Sequence, residues 1–272
     1  FYTFVVGTKD GFGVVRDPIG SARRSFGMAT SVVRMIAPVP RSASPILGER
    51  SLRRRFDTVD MPMGVLKKAA HAAGCSTNDA FLAAVTDGLR RYHARHDVEV
   101  GELRLTMPIS TRHEGDGLGG NHFAPARFAV PIGIDDPAER MRRLGAIARH
   151  WRAEPALEHS DSIAFVLDLL PPTVTTEVFG AMLKHVDAVV TNVPGIPSLS
   201  YLAGAEMLRE YAFAPPTGAA INVALLSHVD TACVGVVIDC AAVPDEDVLM
   251  ECLVEGFDDV LALGGGHAVR SS

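Results

Sequence analysis

Ala188-Val189-Val190-Thr191-Asn192-Val193-Pro194-Gly195 decides how this chain is read, because an apolar strand ends there in a forced turn. Val189 and Val190 are β-branched and suit a buried strand, while Pro194 and Gly195 compel a sharp exit. Asn192 sets an amide donor and acceptor at the strand end, where sites in α/β folds lie. Alone, such a turn is more often structural than functional.

Around it the chain alternates between helical and extended patterns. Upstream, Arg55–Val59 reads as a strand, Pro62–Ala73 as a helix closed by Gly74, and Asn78–His96 as a second helix capped by Ser76 or Thr77. Phe81, Val85, Leu89 and Tyr92 share one face of that helix. Leu103, Leu105, Met107 and Ile109 alternate as in a half-buried strand, and Phe123–Ile132 reads as another. Asp135 or Asp136 opens an amphipathic helix with Met141, Leu144, Ile147 and Trp151 on its stripe. Helical segments are expected near 21–36, 159–170 and 173–185, and strands over Tyr201–Gly204, Met207–Ala214, Ala220–His228 and Thr231–Asp239. Pro244 opens a closing helix that Gly264-Gly265-Gly266 stops. This mixture predicts an α/β sandwich with mostly antiparallel strands rather than a regular βαβ repeat.

The chain has 272 residues, 47% of them apolar, which is enough for a sizeable core. A net charge of −6 argues against a nucleic-acid binder. The basic clusters Arg53–Arg55 and Arg140–Arg143 read as solvated faces. Cys75, Cys233, Cys240 and Cys252 lack CxxC spacing, so free thiols in a reducing cytosol account for them. No apolar run approaches the length of a membrane-spanning helix. The first residue is Phe1, not Met, and the chain reads as a processed or truncated piece.

Several polar groups are candidates for chemistry. Asn78-Asp79 opens a helix, where short polar side chains satisfy free N–H groups and an acid favours the positive end of the dipole. Met107 to Arg112 ends a strand with two hydroxyls and a guanidinium, able to hold a phosphate or polarise a carbonyl. Gly119-Gly120-Asn121 reads as a turn and is no phosphate loop. Asn222 stands inside an apolar strand, so its amide needs a polar network or a cavity. His93 and His96 are spaced i, i+3, but no third metal ligand accompanies them. Neither a G-x-S-x-G elbow nor a Cys/His nucleophile pattern occurs.

The segments SPILGERSLRR, CSTNDAFLAAVTDGLRRY, LRLTMPISTR, GGNHFAPARFAVPI, AVVTNVPG, YLAGAEMLREYAFAPPTGAAINVALLSH and VGVVIDCAAVPD follow one another in this order. In order and spacing they resemble the C-terminal half of the bacterial wax ester synthase/diacylglycerol acyltransferase family, over about Ser44 to Leu263. The resemblance implies a chloramphenicol-acetyltransferase-like lobe: an α/β fold with a mixed, mostly antiparallel sheet packed with helices. It implies residues 1–52 as linker or remnant of an upstream lobe, 53–263 as the acyltransferase C-terminal lobe, and 264–272 as a flexible tail. The family's Asn-Asp motif falls on Asn78 and Asp79, its Pro-x-Ser-x-Arg motif on Pro108, Ser110 and Arg112, and its Asn-Val-Pro-Gly motif on Asn192, Pro194 and Gly195. Asn121 and Asn222 are the remaining expected site-supporting positions.

The same resemblance implies acyl transfer from acyl-CoA to a fatty alcohol or diacylglycerol, with acyl-CoA as substrate and no cofactor. It also implies a cytoplasmic location, with peripheral contact at membranes or lipid droplets. One departure matters. The family's base lies in HHxxxDG, and none of the Asp-Gly pairs at Asp10, Asp87 and Asp116 has two histidines at the required distance. HxxxD occurs at His93–Asp97, but Val98 replaces the glycine, and the match reads as coincidence. No catalytic residue is therefore expected in this chain. The partner is an N-terminal lobe carrying HHxxxDG, in cis or in trans. A non-catalytic lipid-binding or interaction module that kept the fold is the alternative, and an enzyme using His93 a third reading.

Overall fold

Pro62 ends one element and caps the next: β1 (Arg54–Pro62) runs directly into α1 (Met63–Ala72), whose N-cap is Pro62. The computed structural model describes residues 41–110, 123–153, 185–271 and a few positions between 171 and 180. The expected helices at 21–36 and 159–170, most of that at 173–185, and the loop at 115–120 lie outside these residues.

After α1 come α2 (Thr77–Arg95), β2 (Glu102–Ser110), β3 (Phe123–Pro131) and α3 (Pro137–Arg152). The second half holds β4 (Ala188–Val193), the two-residue strands β5 (Tyr201–Leu202) and β6 (Ala205–Glu206), and β7 (Ile221–His228). It closes with β8 (Thr231–Asp239), α4 (Glu246–Ala262) and β9 (Val269–Ser271). The main sheet has the order β3-β2-β4-β7-β8-β1-β9, and β5 with β6 forms a separate hairpin. β2, β4 and β7 run parallel to one another, while the other pairs are antiparallel. This is the mixed, mostly antiparallel sheet expected.

Alternation divides the sheet into two faces. Leu103, Leu105, Met107, Ala188, Val190, Ile221, Val223 and Leu225 join one core with the buried stripes of the helices, including Phe81, Val85, Leu89, Met141, Leu144 and Phe257. α2 lies against α4 so closely that a Cβ on Gly256 would stand 2.4 Å from the Ala84 carbonyl oxygen. Arg140 departs from the expected solvated face: it is fully buried. Its guanidinium pairs with Asp87 at 3.1 Å and with Asp259 at 2.5 Å, and donates to the carbonyls of Ala83 and Ile134. The acids come from α2 and α4, which its own helix contacts only in the tertiary fold.

The expected strand Met207–Ala214 is instead an extended strap over the other sheet face. Its Arg209 and Tyr211 both bond Asp60 of β1, and Phe213 meets Phe56 edge-on at 5.4 Å. Side chains rather than a backbone ladder hold it. Beneath it, a Cβ on Gly235 would come within 2.3 Å of the Ala212 carbonyl oxygen. The C-terminal segment also differs from a flexible tail, since Val269–Ser271 pair with β1 and Arg270 reaches Asp57. β1 otherwise leaves an unpaired edge, which β9 covers. Within the segment read as linker or remnant, residues 41–51 cross the end of the sheet and bury Leu47 in the core.

Candidate functional site

Parallel pairing of β2, β4 and β7 brings their C-terminal ends to one edge of the sheet. Ser110 ends β2 exposed, with Pro108 half-buried two residues earlier. Asn192 and Pro194 lie exposed at the end of β4. Gly195 folds the turn back onto β7, where its N–H donates to Ser227 Oγ at 3.1 Å. Asn78, in the first turn of α2, reaches the same end of β2 through Nδ2 and the Met107 sulfur, 3.8 Å away. The structure thus gathers Asn78, Pro108, Ser110, Asn192, Pro194 and Gly195 at the edge where ligands meet open α/β sheets.

Asp79 faces elsewhere. It completes a capping box: its N–H donates to Ser76 Oγ at 3.2 Å, and its Oδ2 accepts from the Ser76 N–H at 2.9 Å. The carboxylate is buried against α3, where a Cβ on Gly145 would lie 2.8 Å from its Cγ, and Arg149 stands 3.8 Å off. Neighbours in sequence therefore point to different tasks.

Asn222 is not with the others. It pairs with Val189 and Val237 near the start of β7, at the far end of the strand, and is buried with Oδ1 lacking a hydrogen-bond partner. Arg112 and Asn121 lie outside the described residues.

His228 went unnoticed in the sequence. It is buried at the end of β7 and its Nε2 bonds the Met207 carbonyl at 2.7 Å, tying the strap to the strand beside Gly195. Because a carbonyl only accepts, Nε2 carries a proton, and the buried Nδ1 has no hydrogen-bond partner. The only sequence signal was a titratable residue closing an apolar strand.

Chemically, this edge offers amides, a hydroxyl and a tight turn. It can orient a polar group or line a wall, but none of the gathered side chains can take a proton from a hydroxyl at neutral pH. His93 is buried against Ser44 and Leu89 rather than beside Asp97, so the HxxxD spacing has no structural counterpart. No group of three metal-ligating side chains occurs among the described residues, and no helix there is long and apolar enough to cross a membrane.

A sequence model described as the WS/DGAT C-terminal domain matches residues 119–260. The chain is 39% identical over 256 residues to a Mycobacterium tuberculosis protein that carries a diacylglycerol O-acyltransferase name, covering 94% of this chain and 52% of that protein. A similarly named Mycobacterium bovis protein is 26% identical over 231 residues, covering 82% of this chain and 48% of its own. This chain therefore spans about half the length of the curated relatives it matches. Among solved structures, the wax ester synthase/diacylglycerol acyltransferase from Marinobacter aquaeolei VT8 superposes with a TM-score of 0.59 at 18% identity, covering 92% of this chain and 58% of that one. A structure from work on condensation-domain chain release in the enacyloxin polyketide synthase gives 0.57 at 12% identity, with coverages of 95% and 50%. Both likenesses establish the fold.

Proposed function

The chain belongs to the wax ester synthase/diacylglycerol acyltransferase family, and we propose from that membership that it is the C-terminal lobe of an acyl-CoA-dependent O-acyltransferase making triacylglycerol or wax esters. One observation carries this reading. Asn78, Pro108, Ser110 and the Asn192–Gly195 turn, far apart in sequence, converge on one sheet edge, and none of these gathered side chains is a base at neutral pH. Such an edge suits a wall that positions reactants for a base supplied from elsewhere.

In the proposed reaction an HHxxxDG histidine of an N-terminal lobe takes the proton from the acceptor hydroxyl. The oxygen attacks the thioester carbonyl, an ester forms, and the carbon–sulfur bond breaks. The departing CoA sulfur takes a proton, so that the histidine is restored. The lobe described here lines the acyl path and steadies the reacting groups. The acceptor is a fatty alcohol or diacylglycerol, and the work is done in the cytoplasm at the surface of a membrane or lipid droplet. The alternative reading is a lipid-binding or interaction module without catalysis.

The test is esterification of hexadecanol and of diacylglycerol by acyl-CoA, with the purified chain alone and with the chain joined to an HHxxxDG lobe of a relative. The expected result is turnover only in the joined protein. Turnover by the chain alone would overturn the division of labour. A folded joined protein without turnover would favour the non-catalytic module.

A further inference from the structure

His93, singled out by its spacing to His96 and to Asp97, is left unused by the proposed reaction, and its surroundings are specific. Ser44 and His93 are 2% and 1% exposed, and Ser44 Oγ lies 2.7 Å from His93 Nε2. The other ring nitrogen, Nδ1, lies 2.7 Å from the Leu89 carbonyl oxygen. A carbonyl cannot donate, so Nδ1 bears the proton and Nε2 accepts from the Ser44 hydroxyl. That hydroxyl oxygen in turn accepts the N–H groups of Ile46 at 3.3 Å and Leu47 at 3.1 Å. Its one donor and two acceptor positions are filled. The Ser44 N–H donates to Asp187 Oδ1 at 3.1 Å, while the Arg104 N–H donates to Asp187 Oδ2 at 2.7 Å.

We propose that Ser44, His93 and Asp187 form a proton-sensitive fastener. It holds the turn Ser44–Leu47 against the sheet end while the His93 ring is neutral, and loosens that turn when the ring gains a second proton. A proton on Nε2 would confront an oxygen whose acceptor positions are taken, and would leave the Ser44 hydroxyl proton without a partner. The Ile46 and Leu47 N–H groups would then lose the hydroxyl that anchors them. This inference is independent of the acyl-transfer reading.

The charged and titratable neighbours set the sign. Burial is the largest influence and pushes His93 down from the ordinary histidine value; the Leu89 carbonyl and Asp187 oppose it, and His96 adds to it. Tyr92 packs edge-on to the ring, with its hydroxyl bonded to Asp245 at the head of α4. Arg104 of β2 faces the cluster through Asp187. Because the folded value lies below the free one, the closed form binds fewer protons than the open form. Closure is therefore complete above about pH 6.5 and weakens by about tenfold per pH unit below it, until the folded value is reached.

Amide hydrogen exchange of Ile46 and Leu47 from pH 8 to 5, corrected for intrinsic rates, reads this directly. Wild-type protection should fall by about tenfold per unit below the histidine range, and His93→Gln, which cannot titrate, should abolish that slope whatever its absolute protection. A pH-independent wild type overturns the proposal. So does a slope that persists in His93→Gln, since Asp187 would then carry it. If His93→Gln fails to fold, ring nitrogen NMR of the wild type at pH 7.5 decides: a proton on Nδ1 is expected, and one on Nε2 overturns the fastener.

Discussion

The Gly195 N–H donates to Ser227 Oγ at 3.1 Å, and a Cβ added to Gly195 would lie 1.8 Å from the Ser227 carbonyl oxygen. The turn that ends β4 therefore rests on the backbone of β7 with no room for a side chain. The glycine of the Asn-Val-Pro-Gly run is required by close approach, whatever the proline and asparagine beside it do.

Gly195→Ala should accordingly displace the turn and lower stability by about 1–3 kcal/mol, as overpacking does. Ser227→Ala removes one hydrogen bond and should cost only about 1 kcal/mol. Urea denaturation of both variants checks the order. Equal small losses would mean that the turn moves freely.

Asn78 and Asp79 should separate function from stability. Asp79→Ala removes half of a capping box and should lower stability by about 0.5–2 kcal/mol. Asn78→Asp keeps a short polar group in the first helical turn and should leave the melting temperature nearly unchanged. In the joined two-lobe protein, Asn78→Asp should cut turnover sharply. Full activity in that folded variant would return Asn78 to a structural role.

Asp239 should contribute to acid sensitivity. Burial raises its pKa, but the Ser51 N–H and hydroxyl, the Ala241 N–H and Arg54 together hold it below the ordinary carboxylate value. A depressed folded value gives stability that is present above the unfolded pKa, about 3.9, and is lost as pH falls through the folded one. Ser51→Ala should therefore shift the acid-unfolding midpoint upward. An unchanged midpoint would show that the remaining donors suffice.

The thiols should label in two classes. Burial raises all four thiols, Cys252 to about 11, but only Cys233 and Cys252 are also buried from reagent. Cys75 and Cys240 are half-buried. Alkylation at pH 8 should reach Cys75 and Cys240 in the native protein, and Cys233 and Cys252 only after unfolding. Peptide mass mapping at timed intervals reads the difference.

Much of this was legible from local pattern. The stripe Phe81, Val85, Leu89, Tyr92 is buried as its spacing predicts, Ser76 caps α2, and Asp136 caps α3 by accepting the Glu139 N–H at 2.6 Å. These outcomes depend on residues three or four apart, so the sequence alone determined them. The ordered motifs likewise identified the family before any strand was paired. Only tertiary structure decided which partners met. Arg140 left the expected solvated face because Asp87 and Asp259 arrive from two other helices. Met207–Ala214, extended as expected, became a strap because Asp60 and Phe56 hold its side chains where a ladder would have needed a free edge. Asn222 and Asn192 sit on neighbouring strands, yet register puts one near the start of β7 and the other at the end of β4. Long-range pairing sets such positions, and no window of a few residues contains it.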